Sequence, residues 1–130
     1  MSARVVRGIR GAITVDVDLP GPIIEATAEL VETLLAVNRC TPQDVVSAWF
    51  TVTPDLTSEF PAKGARAAGW DEVPMLCAQE IPVQGALPRC IRVLLHLEVP
   101  IGTALVPCYL RDATTLRPDL ARRPQLAVER

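Results

Sequence analysis

The sequence predicts a small α+β or α/β domain, a β-sheet with its helices on one face. Three observations carry that prediction. Residues 4–15 are rich in β-branched residues and small glycines, which suits a strand. Between Gly21 and Val37 the residues Ile23, Ile24, Thr27, Leu30, Val31, Leu34 and Leu35 recur at helical spacing, with Glu25, Glu29 and Glu32 opposite. From Ile91 to Leu97 every odd position is apolar, the period of a strand with one face buried. Strands separated by helices call for a layered sheet-and-helix architecture.

Along the first strand, period 2 places Val6, Gly8, Arg10 and Ala12 on one face. The helix that follows has Pro20 and Pro22 in its first turn, where a missing N–H costs nothing, and Asn38 at its end. Thr41-Pro42-Gln43-Asp44 reads as a capped single helical turn, and the run from Val45 to Thr53, rich in Val, Trp, Phe and Thr, as a buried strand. Pro54-Asp55 breaks that strand. Pro61 to Ala68 predicts a short helix stopped by Gly69, with Lys63 and Arg66 on one face. Met75 to Val83 is expected to be extended, Gln84-Gly85-Ala86 a turn, Pro100 to Leu105 a short helix and Cys108-Tyr109-Leu110 a further strand. In the strand of odd apolar positions, Arg92 points to the other face. Residues 1–120 are expected to form the one domain, and residues 121–130 a polar, mobile tail.

Composition excludes several function classes. The chain has 130 residues, 49% of them hydrophobic, enough for one real core. Its 13 Lys+Arg against 15 Asp+Glu give a net charge of -2, without the basic excess that a phosphate backbone demands, so nucleic acid is not an expected partner. Arginines stand where a signal peptide needs an apolar run, and no stretch reaches the length of a membrane span, so a soluble, cytoplasmic protein with no membrane partner is expected. Cys40, Cys77, Cys90 and Cys108 form no C-x-x-C pair and His96 is the sole histidine, so zinc-site spacing is absent and reduced, unmetallated thiols are expected.

Arg10 and Arg92 are the candidates for chemistry, because an unpaired charge inside an apolar strand is costly to bury. Each either pairs with a carboxylate such as Glu80, leans out to solvent, or helps to hold an anion. Cys77 would be a nucleophile only with an activating base, and the alternative is a small buried side chain. Tyr109 has the same bland alternative as a core aromatic. Arg7-Gly8-Ile9-Arg10-Gly11-Ala12 lacks the G-x-G-x-x-G spacing, and no H-E-x-x-H, G-x-S-x-G or paired-acid motif occurs. Residue by residue, the reading stops at a small α/β domain with two strand arginines as candidates for an anion pocket.

Seven stretches taken together go further: Arg7-Gly8-Ile9-Arg10-Gly11-Ala12, Thr53-Pro54-Asp55-Leu56, Phe60-Pro61-Ala62-Lys63, Gln79-Glu80, Cys90-Ile91-Arg92-Val93, Tyr109-Leu110 and Leu116-Arg117-Pro118-Asp119-Leu120. In order and spacing they resemble the AroH class of chorismate mutases over nearly the whole chain. The resemblance implies an α+β single domain with a mixed β-sheet and helices packed on one face, assembled as a trimeric pseudo α/β-barrel with active sites between subunits. It implies conversion of chorismate to prephenate, in phenylalanine and tyrosine biosynthesis, with no cofactor and no metal. Carried over by motif, Arg10 and Tyr109 would hold a substrate carboxylate, Arg92 a carboxylate and the ether oxygen, and Glu80 and Cys77 the ring-hydroxyl region. Phe60, Lys63, Met75, Leu76 and Leu116 would line the pocket, with Arg66 and Arg117 near its mouth.

Two positions depart from the family pattern. Leu76 stands where a small polar residue is frequent, so a side-chain contact there would be lost while a backbone contact would survive. Pro107 removes an N–H donor just before Tyr109, which puts the local path of the chain in doubt. An intramolecular rearrangement needs a shaped, charged cavity and no nucleophile or base, which fits the missing motifs. The runner-up reading is a trimeric YjgF-like enamine/imine deaminase or metabolite-binding protein, whose intersubunit sites also hold a carboxylate by arginine.

Overall fold

The computed structural model describes residues 3–116. Arg117 and the expected tail, residues 121–130, lie outside the described residues. Five strands, β1 (Arg4–Thr14), β2 (Val45–Val52), β3 (Met75–Gln79), β4 (Cys90–Pro100) and β5 (Cys108–Leu110), form one mixed sheet in the order β3-β2-β4-β1-β5. β4 runs antiparallel to both β1 and β2, while the edge strands β5 and β3 lie parallel to β1 and β2.

One face of this sheet carries the long helix α1 (Pro20–Val37), whose buried residues are Ile23, Ala26, Thr27, Leu30, Val31, Leu34 and Leu35. Six of the seven apolar positions expected from its periodicity are buried; Ile24 is half-buried, and Ala26 joins the stripe. The strands supply the facing layer: Ile9, Ile13, Phe50, Ile91, Val93, Leu95, Leu97 and Val99 belong to the same core cluster. Each such side chain, fully buried, contributes about 1.5–3 kcal/mol relative to exposure. The Asn38 side chain closes α1 by donating to the Leu34 carbonyl (2.8 Å), then donates to Val106 O (2.9 Å) and accepts from Val106 N–H (2.7 Å). That clamp fixes the approach to β5, which pairs with β1 despite Pro107.

The capping box at Thr41 is present, with Thr41 N–H donating to Asp44 Oδ2 at 2.8 Å ahead of β2. Two sequence expectations need correction. The extended run from Met75 stops as a strand at Gln79, and Ile81 and Val83 are exposed beyond it, because Pro82 has no N–H for a ladder. Pro100 to Leu105 forms no helix. β4 runs on to Pro100, and a tight turn follows in which Thr103 N–H donates to Pro100 O (3.1 Å) and Gly102 takes φ +89°, the left-handed region that glycine favours. A 3-10 helix at Arg111–Thr115 was not anticipated.

The second helix, α2 (Ala62–Ala67), packs on α1 through Gly64. A Cβ at Gly64 would lie 2.5 Å from Thr27 Cβ and 2.6 Å from the Ile24 carbonyl oxygen, so the helices approach only because no side chain is there. Gly64→Ala is expected to destabilise the protein by about 1–3 kcal/mol, the scale of overpacking. Gly21→Ala, with nothing within 4 Å of the new Cβ, serves as the control. Urea denaturation of both variants checks this, and an equal midpoint for Gly64→Ala and wild type would contradict it.

Candidate active site

Alternation along β1 and β4 gives the sheet a second face that α1 does not cover. The strand register lines up one row across it: Ala78 opposite Thr51, Thr51 opposite Arg92, Arg92 opposite Ala12, and Ala12 opposite Tyr109. In the neighbouring row Leu76 is opposite Trp49, Trp49 opposite Leu94, and Leu94 opposite Arg10. These two rows floor a cleft of about 370 Å³ lined by Arg10, Ala12, Trp49, Thr51, Arg92, Leu94, Tyr109 and Leu116. The small Ala12 leaves room between the taller side chains. Tyr109 is 6% exposed and packs with Ala12, Cys90 and Ala113, with Leu116 against that cluster.

Both arginines stand on the exposed face, so the premise that they are buried in their strands does not hold for the single chain. Arg92 lies 3.7 Å from Glu80, Nε to Oε2, with 49% and 30% of the two side chains exposed. A pair that open contributes about 0–1 kcal/mol to folding, so it leaves the guanidinium available to another anion. Glu80 also accepts a hydrogen bond from Thr51 Oγ1 at 2.6 Å. Arg10 has no carboxylate partner among the described residues. Behind Arg92, burial pushes the Cys90 thiol up, against the opposing pull of the Arg92 charge. Burial alone pushes Cys108 up to about 12. Neither is a reactive thiol.

A second group of the expected residues gathers at the β3 edge. Phe60 (66% exposed) and Cys77 line another hollow of about 330 Å³ with Thr57, Ser58 and Gln79. Lys63 pairs with Glu59 at 3.0 Å, and Arg66 is exposed on α2. The Met75 and Cys77 side chains are half-buried against the core. Pro74 O accepts from Ala48 N–H and Glu80 N–H donates to Val52 O, so Leu76 and Ala78 spend their main-chain groups on β2 while those of Met75, Cys77 and Gln79 point to the free edge. The Cys77 backbone is thus open at the edge while its side chain leans on the core. The reverse holds at Leu76, whose side chain is 58% exposed and whose backbone pairs with β2. Thr51, Trp49 and Leu94 were missed from sequence; the cue was their parity with Arg92 and Arg10 once strands are paired.

Asp18 ties the loops that frame this edge. Its carboxylate accepts from Thr57 N–H (3.0 Å), Ser58 N–H (3.1 Å) and Thr57 Oγ1 (3.1 Å). Desolvation pushes the group up, but the hydrogen bonds from Ser58 and Thr57 outweigh it and hold the carboxyl below its usual 3.8.

The fold and cleft define a class: a small α+β domain that presents an arginine-bearing cleft on an uncovered sheet face, with no group of metal-ligating residues among the described residues. The chain belongs to the chorismate mutase type I family, whose model matches residues 6–120. It is 50% identical over 117 residues to the chorismate mutase AroH of Thermus thermophilus, covering 88% of this chain and 96% of that one. To the chorismate mutase AroH of Bacillus subtilis (strain 168) it is 41% identical over 118 residues, covering 89% and 93%. A solved chorismate mutase from Clostridium thermocellum superposes with a TM-score of 0.81 at 35% identity, covering 84% of this chain and 98% of that one. The YjgF-like alternative finds no support among these relatives.

Because the folded-state carboxyl of Asp18 is depressed, its stabilisation is complete above about pH 3.8 and is lost as pH falls through its folded value below that. Asp18→Asn should therefore melt lower than wild type at pH 7, with the gap closing as pH approaches 3. Thermal melts across that range check it; a gap independent of pH would contradict it.

Proposed function

We propose that this chain converts chorismate to prephenate at the cleft on its uncovered sheet face, as a cytoplasmic enzyme of phenylalanine and tyrosine biosynthesis. The observation that carries the proposal is the row holding Thr51, Arg92 and Tyr109, with Glu80 on Arg92 and Arg10 one row away. Family membership supplies the reaction. Among the described residues no helix is long and apolar enough to cross a membrane.

The substrate is a flexible dianion, and its rearrangement breaks a C–O bond and forms a C–C bond within one molecule. No proton transfer or covalent intermediate is required. Arg10 and Tyr109 hold a carboxylate, which selects the compact conformer in which the reacting ends meet. The terminal amino groups of Arg92 face the ether oxygen as it gains negative charge, an interaction stronger in the transition state than in the ground state. Glu80 accepts the ring hydroxyl. No cofactor enters this chemistry.

The same proposal makes the site a shared one. Tyr109 and the β3 backbone sit at opposite edges of the sheet, four strand spacings or about 19 Å apart. A small dicarboxylate does not span that distance. Phe60, Lys63, Arg66, Met75, Leu76 and Cys77 thus act on the cleft of a neighbouring copy, and a closed cyclic homotrimer brings the two surfaces together. The exposure of Trp49 (47%), Leu76 (58%) and Leu94 (38%) on the open face supports such a partner.

Purified protein should consume chorismate and yield prephenate, followed by the loss of chorismate absorbance. Arg92→Ala should lower the turnover number by about 10²–10³, the scale of removing one preorganised donor to developing charge, while KM changes much less. Normal turnover in Arg92→Ala with only weakened binding would contradict the role given to Arg92.

A further inference from the structure

The uncovered face contains a polar group that the reaction as described does not use. Thr51 is the register partner of Ala78 on one side and of Arg92 on the other, so its side chain stands between β3 and the arginine. Its hydroxyl donates to Glu80 Oε2 at 2.6 Å, the same oxygen that lies 3.7 Å from Arg92 Nε. We propose that Thr51 is a positioning residue for this reaction: its hydroxyl sets the Glu80 carboxylate against Arg92 and leaves Glu80 Oε1 for the substrate.

Glu80 is the first residue beyond β3. Its backbone is anchored, since its N–H donates to Val52 O at 2.8 Å. Its side chain is not anchored in the same way, because 30% of it is exposed and the contact with Arg92 is longer than a hydrogen bond. An open ion pair of that length restrains a flexible side chain weakly. A short hydrogen bond from a neutral hydroxyl to a carboxylate is charge-assisted and directional, and here its donor sits on a β-branched side chain with few χ1 options, inside a central strand. The hydroxyl therefore decides where the carboxylate rests. Oε1 has no hydrogen-bond partner among the described residues, so the arrangement consumes one carboxylate oxygen and frees the other.

The inference rests on the proposed role of Glu80, and the experiment separates the two. Thr51→Val keeps the shape and the strand preference but removes the donor, whereas Thr51→Ser keeps the donor. Thr51→Val should lower turnover by about 10- to 100-fold, the scale of losing a hydrogen bond to a charged group, with KM little changed. Thr51→Ser should recover most of that loss. In a Glu80→Ala background the further change Thr51→Val should alter turnover by no more than about twofold, since the hydroxyl has nothing left to orient. Equal losses from Thr51→Val with and without Glu80 would overturn the proposal, as would wild-type turnover in Thr51→Val. If Thr51→Val does not fold by thermal melting, Thr51→Ala takes its place under the same criteria. If wild-type protein leaves chorismate unchanged, the proposed function fails on its own, and crystal structures then decide on Thr51. Glu80 turned away from Arg92 in Thr51→Val, but held in Thr51→Ser, supports the positioning role; Glu80 unmoved in both overturns it.

Discussion

Everything in this structure follows from the burial of one sheet face under α1. Leu30, Val31 and Leu34 are fully buried, and their partners Ile13, Ile91, Leu95 and Leu97 come from the central strands β1 and β4. Because side chains alternate along a strand, fixing those residues inward fixes Arg10, Ala12, Arg92 and Leu94 outward, and a slip of one residue would exchange the two sets. The hydrophobic pattern thereby sets the register of the charges. The cleft residues need no separate device to bring them together, since cross-strand pairing places them in two adjacent rows.

That coupling explains which parts were legible in the sequence. The odd apolar positions of β4 and the helical stripe of α1 are strong periodic signals, and both elements formed where the periodicity put them. Pro100 to Leu105 carried no period, and there the local demand of Gly102 for a left-handed turn decided the outcome. The residues after Gln79 look apolar enough for a strand, but apolar character alone does not supply the N–H that Pro82 lacks. At the site, Arg92, Glu80, Arg10 and Tyr109 were readable as members of a family pattern. Thr51 was not, because its meaning lies in standing opposite Arg92 and beneath Glu80, and pairing between distant strands is not written in any local window. Leu76 and Cys77 show the same limit. Which of them offers its backbone depends on the hydrogen-bonding parity of an edge strand.

The energetics of the cleft suit a binding surface better than a stabilising one. The Arg92–Glu80 pair is too exposed to hold the fold together, and Arg10 stands without a carboxylate among the described residues. Positive charge that is only partly compensated attracts a dianion and becomes more effective once solvent is displaced from around it. On the proposed reading, a neighbouring copy displaces that solvent. The main-chain groups of Met75, Cys77 and Gln79 at the free β3 edge would then meet the ligand from the other side.

Subunit mixing tests this account most directly. One chain carries Arg92→Ala, which disables the cleft, and the other carries Lys63→Glu with Arg66→Glu, which turns the β3-edge surface against an anion. Each alone should be nearly inactive. If the site joins the cleft of one chain to the edge of the next, co-expression in equal amounts leaves about one site in four with both surfaces intact, and roughly a quarter of wild-type turnover should return. Mixed protein no more active than either variant alone would contradict the shared site.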